Sequence, residues 1–157
     1  MKQWRWFLKS FDELSTHELY QILELRSAVF VVEQNCAFND LDFNDQKAQH
    51  FFALDEQNTL VAYTRLFAKD VYYQGYVSIG RVVSSPKFRG LGLGKLLMEK
   101  SILQCQKLYG DTPIKIGAQQ YLNAFYVNLG FENTGEDYLE DGIPHTYMLL
   151  KYKKDHS

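Results

Sequence analysis

The sequence predicts an α/β fold, a mixed layer structure with one sheet at its centre. Segments in which apolar residues alternate are typical of strands, and segments in which they recur every three or four positions are typical of helices. These segments follow one another in the order β, α, several β, α, β, α, β, β. The chain has 157 residues without a repeat, a linker or a low-complexity segment, so we expect a single domain over residues 1–157.

The first two elements are a strand and a helix. The segment KQWRWFL alternates between two faces, as a strand does. The segment LSTHELYQILELRSAVFVVEQ then has helical spacing, and Ser15 with Glu18 predicts a capping box at the helix start. Because Arg26 lies within the apolar stripe of this helix, we expect it to be paired or to extend to solvent. The acidic, aperiodic NDLDFNDQK that follows predicts a loop.

The sheet continues through the middle of the chain. FFALDEQNTLVAYTRLFA predicts two strands joined by a turn near residues 56–58. YVSIGRVVSS predicts a third strand, in which Gly80 indicates a bulge or a close approach. A helix is expected from about Gly94 to Tyr109, closed by Gly110. One face of that helix is predicted to carry Leu93, Leu97, Ser101, Cys105 and Leu108.

Three further elements complete the fold. PIKIGAQ predicts a strand, YLNAFYVNLG a short helix closed by Gly130, and the residues around EDGIP two final strands.

Composition excludes several classes of function. With 17 basic and 19 acidic residues the net charge is −2, which does not favour binding to nucleic acid. No apolar run approaches the roughly 20 residues that span a membrane, and the first residues do not resemble a signal peptide. Cys36 and Cys105 stand far apart without metal-site spacing. We therefore expect a metal-free cytoplasmic protein, monomeric or homodimeric, with both cysteines buried as small hydrophobic residues.

A glycine-rich stretch, SSPKFRGLGLGKLL, lies between a strand and a helix. The amides at a helix N-terminus attract anions, phosphate above all, and Lys87, Arg89 and Lys95 add positive charge. A Walker loop would need one more residue and a hydroxyl after the lysine, and a dinucleotide fingerprint would need glycine in place of Lys95. A glycine-rich turn without a ligand remains the alternative.

The spacing Arg89-x-x-Gly92-x-Gly94 resembles the acetyl-CoA loop, [RQ]-x-x-G-x-[GA], of the GNAT acetyltransferase superfamily. NAFYVNLGF resembles the late segment of that family, with the spacing between asparagine and tyrosine shortened. The blocks LRSAVFVVEQNC, IGRVVSS, IGAQ, FYVNLGF and EDGIPH are similar to its ElaA-type branch. Ala37 and Phe38 depart from the proline and aromatic residue expected there, a difference confined to a loop.

The resemblance implies a mixed, mostly antiparallel sheet of about seven strands, with helices on both faces and two splayed strands in the middle. Those strands would be residues 79–84 and 114–119, opened by a bulge at Gly80. The amides near Val82 and Val83 would then face the thioester carbonyl of acetyl-CoA, the implied co-substrate. The implied cofactor contacts are Val82, Val83, Ser84, Arg89, Gly90, Leu91, Gly92, Leu93, Gly94, Lys95, Asn123 and Tyr126.

The resemblance also implies acetyl transfer to an amine, which must lose a proton while the CoA thiolate gains one. Tyr126 resembles the family's general acid; otherwise it is a core aromatic residue beside Phe125. Candidates for the general base are, in order, Glu33, His145 and His50. Each of them has a structural alternative, a solvated helix end for the glutamate or a hydrogen-bonded structural role for the histidines.

Two acidic clusters could attract a cationic amine, although solvated loops are an equally good interpretation. They are Asp40, Asp42 and Asp45, and Glu136, Asp137, Glu140 and Asp141. Aromatic residues that could form a pocket wall are Phe38, Phe43, Tyr121 and Tyr138. The sequence does not distinguish among three classes of substrate: a small amine, an aminoglycoside-like compound and a peptide. Two rival functions are a non-catalytic acyl-CoA-binding or regulatory module and a purely structural domain.

Overall fold

A computed structural model describes residues 3–153, and a seven-stranded sheet runs through its centre. Its strands are β1 (Arg5–Ser10), β2 (Gln49–Leu54), β3 (Leu60–Phe67), β4 (Val77–Ser84), β5 (Ile114–Gln119), β6 (Glu132–Glu140) and β7 (Ile143–Leu150). They pair in the order β1-β2-β3-β4-β5-β7-β6. Each neighbouring pair is antiparallel except β4 with β5, which is parallel. The predicted mostly antiparallel sheet is confirmed.

Helices cover both faces of the sheet. They are α1 (Thr16–Arg26), which continues as a π-helical turn over Ser27–Glu33, α2 (Leu93–Tyr109) and α3 (Asn123–Asn128). Ile22 and Leu25 of α1 pack in one core with Phe52 and Tyr63. The α2 and α3 helices pack into a larger core with the apolar residues of the other face. Ser15 caps α1 through the predicted capping box with Glu18.

The elements lie close to the positions that the sequence periodicity predicted for them. The α2 helix begins at Leu93, one residue before the expected start, and ends at Gly110, whose φ of 70° suits a glycine. Its inner face was predicted correctly except for Leu108, which is 42% exposed. Because the inner face advances four residues at a time from Leu97 through Cys105, Tyr109 packs against the core instead.

The sheet opens between β4 and β5. The two strands pair only at Val77 with Ile114 and at Ser78 with Lys115. Beyond these pairs β5 is bonded to β7 alone. Residues 79–84 of β4 therefore present an unpaired edge to the gap, and the predicted splay is confirmed.

A bulge interrupts β4 next to the gap. Arg65 of β3 pairs with Gly80 and Tyr63 with Val83, so two residues of β4 oppose one of β3. The residue in the left-handed conformation is Arg81, with a φ of 48°. The bulge expected at Gly80 is confirmed, with its two unpaired residues, Arg81 and Val82, directly after the glycine. Gly80 keeps a conformation open to any residue, and a Cβ there would meet the Arg65 side chain only at ordinary contact distance, 3.7 Å.

Candidate active site

A cavity of about 720 Å³ occupies the gap between β4 and β5. Its walls come from the end of the π-helical turn, the unpaired half of β4, the start of the glycine-rich loop, α3 and the β6–β7 turn. The predicted site residues that line it are Glu33, Val82, Val83, Ser84, Arg89, Tyr126 and His145. The fold thus brings together side chains separated by more than 100 positions in the sequence.

The glycine-rich loop leads directly into α2. Gly90 and Gly92 have φ values of 83° and 72°, and Gly92 caps the helix, so their conformation explains these two glycines. The first amides of α2, from Leu93 to Lys95, lie where a helix has no internal acceptor for its N–H groups. Together with the helix dipole they form a surface that can bind an anion.

The backbone conformation of Gly94 does not explain why this residue is a glycine. It lies in the first turn of α2 without a positive φ, and a Cβ built on it would meet nothing within 4 Å. Glycine there costs about 1 kcal/mol of helix stability relative to alanine. Neither the backbone nor a neighbouring side chain requires glycine at this position. A ligand that approaches the backbone closely would supply the missing reason.

Charged residues flank the loop. The Arg89 guanidinium lies 2.6 Å from the Glu33 carboxylate, and both side chains are about half exposed. Lys95 is largely exposed, with Glu99 one turn away at 3.8 Å. Arg89 therefore links the loop to the end of the π-helical turn at the cavity wall.

Tyr126 lies on α3 and borders the cavity. Only 6% of the residue is exposed, and its ring packs edge-on against Phe125 and Phe131. Burial raises the pKa of its phenol well above the usual value, so the hydroxyl keeps its proton at neutral pH. Asn123, three residues earlier, begins α3 and is not among the cavity-lining residues.

His145 stands on β7 at the other side of the cavity. Its Nδ1 is 2.7 Å from the carbonyl oxygen of Ile143. Because a carbonyl can only accept, Nδ1 carries the proton in the neutral ring and Nε2 has the free lone pair. Nε2 is 3.6 Å from a carboxylate oxygen of Glu140. Tyr138 stacks on the imidazole at 5.3 Å.

His50, the third candidate base, is excluded by its position. The side chain is fully buried, with Nδ1 2.6 Å from the Tyr63 hydroxyl and Nε2 2.8 Å from the Asp45 carbonyl. Burial lowers the pKa of the ring. His50 does not line the cavity, and its role is structural.

The first acidic cluster is part of a buried ionic network, which corrects both interpretations of it. Arg26 contacts Asp40 at 2.9 Å and Asp45 at 2.7 Å, so the expected pairing of Arg26 is confirmed. Arg65 contacts Asp45 at 3.0 Å and Asp42 at 2.6 Å. Although burial opposes it, the hydrogen bonds and charge of Arg65 hold the pKa of Asp42 far below its usual range. Only Asp42 of the three borders the cavity.

Only part of the second acidic cluster lies at the cavity. Glu140 and Asp141 line the cavity at the β6–β7 turn. Asp137 instead accepts a hydrogen bond from Thr146 at 2.8 Å, and Glu136 lies on a separate groove. Negative charge therefore borders the cavity beside His145, where an ammonium group could be attracted.

The structure confirms only some of the aromatic residues predicted to form a wall of the pocket. Phe38 and Tyr121 line the cavity, whereas Phe43 is 81% exposed and points to solvent. Cys105 is buried as expected. Cys36 is only partly buried and lines the cavity, with its Sγ 3.6 Å from the Asp141 carbonyl oxygen, so its predicted burial is wrong.

Two structural features bear on other kinds of site. Among residues 3–153, no group of three or more histidine, cysteine, aspartate or glutamate side chains is arranged to hold a metal ion. Within the same residues, no helix is long and apolar enough to cross a bilayer.

The chain is similar to known proteins over most of its length. The family model described as Acetyltransferase (GNAT) domain matches residues 18–152. Protein ElaA of Escherichia coli strain K12 is 44% identical over 138 residues, which are 87% of this chain and 90% of that protein. The crystal structure of E. coli ElaA superposes with a TM-score of 0.87 and 39% identity, covering 95% of this chain and 100% of that one.

A second solved structure is equally similar. The crystal structure of an acyl-CoA N-acyltransferase from Pseudomonas aeruginosa has a TM-score of 0.88 and 42% identity, covering 94% of this chain and 99% of that one.

Proposed function

This chain belongs to the GNAT acetyltransferase family, and on that premise we propose that it transfers an acetyl group from acetyl-CoA to a primary amine. The observation that carries the proposal is the conjunction of the split sheet with the loop before α2. The unpaired strand edge lines the cavity, and the glycine-rich loop leads from Arg89 in the cavity wall to Gly94, a glycine that neither its backbone conformation nor its packing requires. The amine belongs to a small molecule or a peptide.

The residues present fit CoA. The amides of Leu93, Gly94 and Lys95 would hold its pyrophosphate, because a helix N-terminus offers both unpaired donors and positive potential. Arg89 would add a guanidinium to the same phosphates. The unpaired edge of residues 79–84 would accept the amide groups of the pantetheine arm as an added strand.

Acetyl-CoA supplies a thioester, whose carbonyl oxygen becomes negatively charged when the amine attacks. The amides near Val82 and Val83 lie on the unpaired stretch of β4 at the cavity. Fixed donors directed at that oxygen stabilise the developing charge without reorganising. We assign this role to the β4 backbone, beside the bulge at Arg81.

Tyr126 is assigned as the general acid. Its phenol is protonated at neutral pH because burial raises its pKa, and a proton donor is required where the thiolate departs. The packing of its ring between Phe125 and Phe131 fixes its direction.

His145 is assigned as the general base in preference to Glu33. The Glu33 carboxylate is engaged by Arg89 at 2.6 Å. The Nδ1 contact of His145 leaves Nε2 available to accept a proton, and Glu140 at 3.6 Å balances the resulting charge. An amine with a pKa near 10 needs such an acceptor before it can attack.

Two measurements test the proposal. Acetyl-CoA at about 100 times its Kd should raise the free energy of unfolding by roughly 2.7 kcal/mol, detected as a rise in Tm. A panel of amines should then release the CoA thiol, detected with a thiol reagent. Absence of any thermal shift would contradict the CoA site. A shift without thiol release from every amine would favour the rival function, a non-catalytic acyl-CoA-binding module.

A further inference from the structure

We propose that Arg81, held by Asp40, is a positioning residue that keeps the β4 bulge in the conformation on which catalysis depends. This inference rests on the proposed function, because it concerns the amides assigned to the oxyanion. It adds a role for a side chain that binds neither reacting group. Three observations carry it.

The first observation is the backbone of Arg81. Its φ of 48° places a residue with a full side chain in the left-handed region, which non-glycine residues rarely occupy because Cβ crowds the backbone. Such conformations persist only where surrounding contacts impose them, and they concentrate at functional sites. Arg81 is also a cavity-lining residue.

The second observation is the set of contacts on its guanidinium. Nε lies 2.7 Å from Oδ1 of Asp40 as an ion pair, and Nη2 donates a hydrogen bond of 3.0 Å to the Asp40 carbonyl oxygen. The centroid of the Phe38 ring lies 5.8 Å from the guanidinium carbon. Asp40 is itself anchored at 2.9 Å by the fully buried Arg26 of α1. A chain of ionic contacts thus joins α1 to the bulge.

The third observation is what the bulge does to the strand. In a regular strand, residues 79, 81 and 83 would face the same side of the sheet. Here Ile79 and Val82 pack with the α2 core, whereas Val83 packs with the α1 core. The extra residue turns the following amides by one position at the edge facing β5. The conformation of Arg81 therefore sets which groups of Val82 and Val83 face the cavity.

A pair of substitutions at one position separates this role from others. Arg81→Ala and Arg81→Gly both remove the guanidinium, and Asp40 keeps Arg26 as a partner in both. Only glycine adopts a positive φ without strain. We expect Arg81→Ala to lower kcat by about tenfold or more and Arg81→Gly by less than about threefold, since misplaced oxyanion donors reduce the rate. Kd for acetyl-CoA should weaken in Arg81→Ala by a smaller factor than kcat falls, because the distorted edge affects the pantetheine arm while the loop assigned to the pyrophosphate is untouched. In Arg81→Gly, Kd should stay within about threefold of wild type.

A matched control lies far from the cavity. Asn58, in the turn after β2, also has a positive φ, 63°, and does not line the cavity. Asn58→Ala and Asn58→Gly should differ in Tm but leave kcat unchanged. This control shows that backbone strain alone does not reduce turnover.

A second readout does not depend on activity. Amide ¹⁵N shifts of Val83 and Ser84, which do not directly follow the substituted residue, should move in Arg81→Ala and stay near wild type in Arg81→Gly. Equal losses of kcat in the two variants, or wild-type kcat in Arg81→Ala, would overturn the inference, as would unchanged shifts. If the wild-type protein releases no CoA thiol, the proposed function fails, and the amide shifts still decide whether Arg81 positions the bulge.

Discussion

The Arg89 guanidinium meets the Glu33 carboxylate at 2.6 Å, so the arginine assigned to the CoA phosphates is bound to an acidic residue of the cavity wall. The pair joins the glycine-rich loop to the end of the π-helical turn. Phosphates that bind Arg89 must compete with Glu33. Loss of the acidic partner therefore has a definite consequence.

Glu33→Gln should tighten binding of CoA. The gain should be modest, up to about fivefold in Kd, because half-exposed ion pairs contribute only about 0.2–1 kcal/mol. Isothermal titration calorimetry measures it, with Glu24→Gln on the exposed side of α1 as the control. We also expect kcat to change little. A loss of turnover by two orders of magnitude would instead identify Glu33 as the base and contradict the assignment to His145.

Tyr126→Phe should lower kcat by at least about tenfold, because loss of a general acid removes 10²–10⁴-fold in typical enzymes. Kd for acetyl-CoA should stay within about twofold, since the ring and its packing are retained. Steady-state thiol release and calorimetry give the two constants. Tyr121→Phe, a cavity-lining phenol that is largely exposed, is the control and should keep wild-type kcat. An unchanged kcat in Tyr126→Phe would refute the assignment.

The stability of the protein should fall as the pH drops below about 6.5, the ordinary histidine value, because of His50. Burial lowers the pKa of this ring, so the unfolded chain binds a proton that the folded protein resists. Stability is therefore complete above the unfolded pKa and is lost as the pH falls toward the folded one. Melting curves from pH 8 to pH 5 should show a smaller loss of Tm in His50→Gln than in the wild type. Equal slopes for the two proteins would contradict this account.

Asp45→Asn should destabilise the fold by about 3–5 kcal/mol, because it leaves two buried guanidinium groups short of charge. Asp45 contacts Arg26 at 2.7 Å and Arg65 at 3.0 Å. Urea unfolding measures the effect, and Asp12→Asn, on an exposed 3₁₀ turn, is the control. A change below 1 kcal/mol would show that the network contributes little.

Periodicity was sufficient to predict most of the fold. Alternation and helical spacing depend on neighbours in the sequence, and the seven strands and three α-helices occur where these patterns predicted them. The pairing of the strands and the splay between β4 and β5 were implied by the family resemblance instead. Turn-forming residues predicted the connections between strands. An example is the β6–β7 turn, where Asp141 and Gly142 both have a positive φ. The π-helical turn over Ser27–Glu33 was not predicted, because its apolar spacing resembles that of an ordinary helix.

The ionic network was missed for a different reason. Asp40 and Arg81 are 41 positions apart, and only the folded sheet brings them together. The available signal was the occurrence of Arg65 and Arg81 within strands of otherwise apolar character, opposite a loop with three aspartates. Charged residues inside buried strands require partners, so that pattern indicated pairing rather than an acidic entrance.

Gly94 provides the most direct test of the central claim, that the amides at the start of α2 hold CoA. In Gly94→Glu the new side chain leaves from a Cβ that meets open space within the protein, and glutamate is a better helix former than glycine, so Tm should not fall. Its bulk and negative charge would occupy the space assigned to the pyrophosphate, whereas alanine is accepted at this position by the pattern of the family. The account predicts an unchanged or higher Tm together with a Kd for CoA weakened at least about tenfold. An unchanged affinity for CoA would contradict it.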